Sequence, residues 1–175
     1  MVSNTVTHLI GTVSLMLIFF SIGSYYSMSI ASLKNEVITV QLSKIANYIG
    51  SDIEDLVSLC YISELNQMLL IKNLTLPTGL TSYGYNMTIE KIGQSMLVRV
   101  YLISESEVYG EYILPWPTES NIRVYNGLDP EVENYIQSER PSLTLKLQVD
   151  DLDTGIMIWC VKLEDQITIG LGLMN

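Results

Sequence analysis

The sequence predicts an α+β protein, in which one long N-terminal α-helix precedes a mostly antiparallel, sandwich-like β domain. Three observations predict this class. No Asp, Glu, Lys or Arg occurs before Lys34, an apolar stripe of helical period follows, and the rest alternates in β fashion between turn signals. We place the long helix, membrane-spanning and then amphipathic, in residues 1–60 and the β domain in residues 61–175.

The first half of the helix has the length and composition of a membrane span. Residues 5–25 contain no Asp, Glu, Lys or Arg and have an apolar core, and a helix that crosses the ~30 Å hydrocarbon layer needs ~20 mostly apolar residues. The start of the chain lacks the basic residues of a secretory signal, which favours an uncleaved anchor in the lipid bilayer. His8 lies at the membrane edge, where a polar residue is tolerated.

The second half of the helix is amphipathic. No proline occurs between Ser24 and Cys60, and apolar residues recur at alternating spacings of three and four. This stripe consists of Ile38, Leu42, Ile45, Ile49, Ile53, Leu56 and Cys60. The charged residues of the same segment, Asp52 among them, are expected off the stripe. The stripe must be covered by another part of the chain.

The sequence after the helix predicts six to eight strands. Residues 61–71 are ambiguous between helix end and first strand. Residues 83–90, 96–103 and 108–114 have β patterns, and residues 115–117 (PWP) are expected to break the sheet. A short strand at residues 121–125 precedes a short helix that begins at Pro130, with Asp129 as its cap and a turn as the alternative.

The last third has the clearest β pattern. Residues 143–149 alternate with period two, which predicts one strand with Leu143, Leu145, Leu147 and Val149 on its buried face. Residues 156–163 are apolar on both faces, as in a central strand. In residues 166–173, small glycines opposite the apolar face leave room for another backbone. Asp150, Asp151, Asp153 and Gly155 predict a hairpin turn, with a calcium loop as the alternative.

The charge balance excludes some partners. The formal net charge is −10, and all charged side chains follow Leu33. Nucleic acids are bound through Lys and Arg, so no nucleic-acid partner is expected. We find no phosphate loop, zinc-protease motif or nucleophile elbow, and the chain has one His. We therefore expect no enzyme activity, no cofactor, and neither catalytic nor metal-binding residues.

Two kinds of covalent modification are suggested by the residues. Cys60 and Cys160 are the two cysteines of a domain that we expect to be exported, which predicts a disulfide; two buried free thiols are the alternative. Asn73 and Asn86 each begin an Asn-X-Thr sequon, so both are candidate glycosylation sites. The sequons favour an extracytoplasmic β domain, although chance occurrence of such tripeptides is common.

The architecture resembles the type IV pilin superfamily, and more narrowly archaeal pilins, archaellins and stator-type archaellum proteins. The resemblance rests on the uncharged run at residues 2–33, the continuing stripe and the β domain at residues 74–173. A departure is the absence of a short basic leader before the apolar helix, and Thr5 stands near where bacterial pilins have a glutamate. The stator-type proteins keep an uncleaved helix. The resemblance to them therefore favours the role of a membrane-anchored accessory protein over that of a major filament subunit.

We expect a structural, non-enzymatic protein of an archaeal type IV pilus- or archaellum-like surface filament, or of its membrane anchor. Its helix would associate with other pilin-like subunits or with copies of itself, and its β domain with a cell-envelope protein. Small residues that permit close helix approach are Gly11, Ser14, Gly23 and Ser27. The alternative is a single-pass membrane receptor or binding module.

Overall fold

A computed structural model describes residues 2–77, 84–117, 120–137, 142–149 and 155–174. In these residues the chain forms two helices and nine strands. In chain order they are α1 (Val2–Ile62), β1 (Gln67–Leu74), β2 (Tyr85–Ile92), β3 (Ser95–Leu102), β4 (Tyr109–Pro117), β5 (Ile122–Val124), α2 (Pro130–Gln137), β6 (Ser142–Thr144), β7 (Lys146–Val149), β8 (Gly155–Leu163) and β9 (Gln166–Met174). The predicted α+β class is confirmed.

The chain divides into two compact units, Met1–Val37 and Ile38–Asn175. The first unit is helical in all its described residues. The second contains residues 38–62 of α1 together with both sheets and α2. The boundary of the compact units falls within α1, because the amphipathic half of this helix contributes to the core of the β domain.

The strands of the second unit form two sheets. The first has the order β1-β8-β9-β5, with β6 also paired to β9, and the second has the order β4-β3-β2-β7. Every pairing is antiparallel except that of β5 with β9. The mostly antiparallel, sandwich-like arrangement is thus confirmed. The described strands number nine, more than the six to eight expected.

The apolar stripe of α1 lies in the main hydrophobic core. All seven predicted stripe residues are buried, together with Ala46 and Val57. The same core contains side chains from the first sheet, such as Ile158 and Ile169, and from the second, such as Met87 and Val100. The docked half of α1 therefore closes a core that it shares with both sheets.

A second, smaller core lies on the other face of β8. Trp159 and Val161 of β8 pack there with Tyr125 and with Val132 and Ile136 of α2. As predicted for a central strand, β8 is buried on both faces. The space opposite Gly170 is filled by the Trp159 ring, 2.3 Å from a Cβ placed on that glycine. The expectation that another backbone would fill it is corrected, because the cross-strand neighbour of Gly170 is Trp159.

Three local predictions are corrected by the structure. Residues 143–149 form two strands, and Leu145 between them is exposed, because β6 joins one sheet and β7 the other. Strand β4 continues through Pro117, since β4 is an edge strand and an edge tolerates proline. Asp52, expected off the stripe, is buried.

The helix and turn signals hold where the structure describes them. Helix α2 begins at Pro130, and the Asp129 carboxylate accepts a hydrogen bond from the Val132 amide at 3.3 Å. Gly93 adopts a left-handed conformation (φ 61°) in the predicted turn before β3. The Asp150, Asp151 and Asp153 carboxylates, the calcium alternative, lie outside the described residues.

Candidate functional site

The C-terminal end of α1 brings the two cysteines together. Cys60 is the last stripe residue, and Cys160 lies on the face of β8 that points into the same core. Their sulfur atoms are 3.1 Å apart, and both side chains are fully buried. Both are free thiols in this structure. The expected meeting of helix end and central strand is therefore present, and the covalent bond stays a prediction.

Lys162 caps the same helix end from the neighbouring strand. Its Nζ donates hydrogen bonds to the carbonyl oxygens of Cys60 at 3.1 Å and Ser63 at 2.7 Å. The last carbonyls of a helix lack intrahelical partners and carry the negative end of its dipole. The last turn of α1 has no basic residue of its own. Lys162, two residues along β8 from Cys160, therefore supplies the positive charge and the hydrogen-bond donor at this helix end.

The two thiols have opposite electrostatic preferences. The pKa of the Cys60 thiol is lowered, because its sulfur interacts with the Cys160 thiol and lies near the positive charge of Lys162, against the opposing effect of burial. The pKa of the Cys160 thiol is raised far above its usual value, because it interacts with the Cys60 sulfur and is buried. Either sulfur can donate in the S–H···S contact.

A second set of hydrogen bonds ties the helix end to the first sheet. The Tyr61 hydroxyl donates to Asn121 Oδ1 at 2.7 Å, and Asn121 Nδ2 donates to the Asp165 carbonyl at 2.7 Å. Asn121 precedes β5, and Asp165 lies in the turn between β8 and β9. These contacts tie the end of α1 to two connections of the first sheet, the segment before β5 and the turn between β8 and β9. The arrangement is suited to holding a helix in place, and its reactive groups are the two thiols.

The predicted helix-packing residues lie on the surface of the first unit. Ser14 and Ser27 are exposed, and a Cβ placed on Gly11 or Gly23 would meet no atom within 4 Å outside the helix. No packing contact among the residues that the structure describes therefore uses them. Their role as a helix-packing surface stays a prediction about another molecule.

The two sequons differ in accessibility. Asn73 is exposed on β1, an edge strand, and Thr75 after it is exposed too. Asn86 is only 4% exposed, and its Oδ1 has no hydrogen-bond partner. The Thr88 hydroxyl of the second sequon donates to Glu90 at 2.8 Å. In the folded chain, Asn73 can be reached by a modifying enzyme, whereas Asn86 is enclosed.

Sequence reasoning missed an ion pair between α1 and β1. Lys72 Nζ lies 2.8 Å from Asp52 Oδ1, while Asp52 Oδ2 is buried without a partner. The pKa of Lys72 is raised, chiefly by its hydrogen bond to Asp52. A signal was present in the sequence, since Asp52 follows Ile49 by three positions and precedes Leu56 by four. That spacing places it beside the stripe.

A contact between α1 and β4 was also missed. The Tyr112 hydroxyl donates to Glu54 Oε1 at 2.6 Å, and the bond raises the pKa of Tyr112. No sequence signal pairs these two residues, because they are 58 positions apart. Together with the Asp52–Lys72 pair, this bond connects the polar flanks of the docked helix to both sheets.

A polar cleft of about 950 Å³ opens beside the helix end. Arg123 of β5 lies in it, with acidic side chains from α2 and from the turn after β8 around it. With its amide turned so that Oε1 faces Arg123, Gln166 accepts two hydrogen bonds from the guanidinium at 3.0 Å. Within the described residues, no three His, Cys, Asp or Glu side chains converge as a metal site would require.

The first unit provides one further observation, a single helix long and apolar enough to cross a membrane, whose most apolar window is unburied. Length and composition alone support this, and signal sequences share the property. Compared with known protein families, curated proteins and solved structures, the chain matches none of them.

Proposed function

We propose that this protein is a structural, non-enzymatic component of an archaeal type IV pilus- or archaellum-like surface filament, or of the membrane anchor of such a filament. In this proposal, residues 5–25 lie in the bilayer or among neighbouring helices, and the β domain lies outside the cytoplasm. Helix α1 continues from the anchor segment into the half whose stripe lies in the core of the β domain.

One observation carries the proposal. Every large apolar side chain of the first unit from Val6 to Val37 is exposed, with exposed fractions from 48% at Val6 to 78% at Met28. These side chains surround the helix on all sides, and the first charged residue is Lys34. A helix that is apolar all round is stable only when lipid or other helices cover it. None of the described residues supplies that cover, and in this proposal lipid or neighbouring helices supply it.

Membrane placement is tested with the full chain in cells. We expect the protein to stay with the membrane pellet after alkaline carbonate washing and to be released by detergent. Protease added to intact cells stripped of their outer wall should digest the β domain. Recovery of the intact chain as a soluble monomer, or protection of the β domain until the membrane is lysed, would overturn the proposal.

Helix association is tested at Gly23. Gly23→Leu adds a bulky side chain to a surface where close approach needs a small one, so we expect loss of oligomers or of filament incorporation. Ile18→Leu, a change of shape without a change of volume on the same helix, is the matched control and should assemble normally. Cross-linking in membranes and electron microscopy of sheared filaments are the measurements. Unchanged assembly of the Gly23→Leu chain contradicts a packing role for this position.

The polar cleft favours a second candidate, a single-pass receptor or binding module. A cationic side chain among carboxylates suits a small ligand that carries both charge types. A ligand that raises the unfolding midpoint of the full chain, with the increase lost in Arg123→Gln, would support it. Assembly into filaments without any such ligand favours the structural role.

A further inference from the structure

The two cysteines are far apart in the sequence but lie side by side in the folded chain. The chain has two cysteines in 175 residues, 100 positions apart, and folding places their sulfur atoms 3.1 Å from each other. One lies at the end of a helix and the other on a central strand, so no local regularity brings them together. Burial of each cysteine as a small apolar residue accounts for its environment but not for their convergence.

We propose that Cys60 and Cys160 form an intramolecular disulfide as the chain folds, and that this bond joins the last turn of α1 covalently to β8. Bond formation needs the sulfurs to approach by only ~1 Å more, to the ~2.05 Å of a disulfide. The cross-link closes a loop that contains seven complete strands, β1 to β7, and the first part of β8. This inference goes beyond the proposed structural role. It rests on that role only because the role places the β domain outside the cytoplasm, where an oxidant is present.

The chemistry is thiol–disulfide exchange with an oxidising disulfide. The thiolate of one cysteine attacks a sulfur of the oxidant, forms a mixed disulfide and releases the first oxidant thiol. The second cysteine loses its proton and attacks the protein sulfur of that mixed disulfide, which releases the second oxidant thiol. The two cysteines thereby lose two protons and two electrons, and the oxidant disulfide becomes two thiols.

Burial determines when the exchange takes place. Both thiols have no exposed surface in the folded chain, so an oxidant reaches them only before the helix end docks on β8. Oxidation therefore accompanies folding, and the finished bond is protected from reductants by the same packing. Lys162 bonds to the Cys60 and Ser63 carbonyls and holds the helix end over β8 while the bond closes.

The test is oxidative refolding of the full chain. The reduced, denatured protein is refolded in detergent with oxidised and reduced glutathione, the free thiols are alkylated, and peptides are analysed by mass spectrometry. We expect a linked Cys60–Cys160 peptide, two hydrogens lighter than the reduced pair. Free alkylated thiols, or mixed glutathione disulfides only, would overturn the proposal. The Cys60→Ser and Cys160→Ser variants identify intermolecular bonds.

Two further measurements sharpen the result. The already folded, reduced chain should oxidise at least ~10-fold more slowly than the refolding chain, because docking hides the thiols; equal rates would contradict coupling to folding. The oxidised chain should unfold at a midpoint higher by on the order of 10 °C, given the length of the closed loop. Cys60→Ala/Cys160→Ala is the matched control, and its midpoint should not respond to reductant.

The outcome in cells separates this inference from the proposed function. Alkylation before lysis should find the linked pair if the β domain folds outside the cytoplasm. A chain that forms the disulfide on refolding but carries free thiols in cells would overturn the external placement, while the cross-link itself would stand. A chain that is external yet refolds without the bond would overturn the cross-link alone.

Discussion

At Gly50 the helix α1 passes directly beneath the ring of Tyr112. A Cβ at this position would lie 2.0 Å from the Tyr112 ring. The hydrogen bond from the Tyr112 hydroxyl to Glu54 keeps the ring in this place. Helix propensity alone favours alanine over glycine by about 1 kcal/mol. We expect the reverse for Gly50→Ala, a loss of about 1–3 kcal/mol in the free energy of unfolding, because the ring and the helix must separate. Denaturant unfolding in detergent measures it.

A neighbouring position provides the control for this prediction. Ser51 is exposed, so Ser51→Ala reports propensity without packing and should be neutral or slightly stabilising. The double variant Gly50→Ala/Tyr112→Leu should recover part of the loss, because the smaller side chain makes room. If Gly50→Ala is as stable as Ser51→Ala, the Tyr112 ring does not contact the helix.

The buried Tyr85 should make the free energy of unfolding fall as the pH rises in the alkaline range. It is fully buried, its hydroxyl donates to the Pro77 carbonyl at 2.8 Å, and burial raises its pKa from 10.0 to about 12. Between these values the unfolded chain releases the phenolic proton and the folded chain keeps it. Stability from this group is therefore fully present below pH 10 and is lost as pH rises toward 12.

The alkaline loss should shrink when the hydroxyl is removed. We expect Tyr85→Phe to flatten the fall in unfolding free energy over this pH range by on the order of 2 kcal/mol, measured by denaturant unfolding at several pH values. Tyr125, with a pKa also raised to about 12 by burial and Glu133, and Lys72, with a raised pKa, act in the same direction. Some alkaline loss should therefore remain, and an unchanged slope in Tyr85→Phe would contradict the assignment.

Between the elements α1 and β1, one ion pair lies at the edge of the core. The Asp52 side chain is 9% exposed and that of Lys72 is 39% exposed. If the pair is broken, water can therefore solvate the lysine more readily than the carboxylate. We expect Lys72→Met to lower the free energy of unfolding by about 1–3 kcal/mol, because it leaves a buried carboxylate unpaired. Asp52→Asn removes the charge itself and should cost less.

The exposed acid one turn away is the control for the ion pair. Asp55 also lies near Lys72 but is exposed, and Asp55→Asn should change stability by no more than about 0.5 kcal/mol. Thermal unfolding of the unchanged chain and of the three variants, at one pH and salt concentration, measures their order of stability. A Lys72→Met chain more stable than Asp52→Asn would show that the carboxylate is solvated and not buried.

Among the elements, the helix could be predicted in more detail than the strands. All seven residues of the spacing from Ile38 to Cys60 lie on the buried face of α1, because helical neighbours are set by local geometry, although Asp52 on that face was not expected. The alternation at residues 143–149 is equally regular, yet the strand divides at Leu145 between two sheets. Period two reports which face is buried and not which sheet a strand joins, because strand partners are distant in sequence.

In the whole molecule, the candidate site was predictable in its members but not in its geometry. Two cysteines and a stripe ending at Cys60 indicate that a disulfide is feasible. The cap by Lys162 and the enclosure of Asn86 depend on how β8 and β2 lie in their sheets, which only long-range pairing determines. For the same reason Asn73 and Asn86 are alike as sequons but differ in accessibility once the chain has folded.

The division of the chain at Val37 makes α1 a helix whose two parts depend on different surroundings. Residues 38–62 bury their stripe only against the sheets, so they should unfold together with β8 and β9. Residues 5–25 should stay helical in detergent micelles, which cover their apolar surface. We expect hydrogen exchange at increasing denaturant to release the amides of residues 38–62 and of β8 at the same concentration, with residues 5–25 released later. If residues 38–62 instead stay protected with residues 5–25 after β8 has exchanged, α1 is a single cooperative unit and the sheets are not what stabilises its second half.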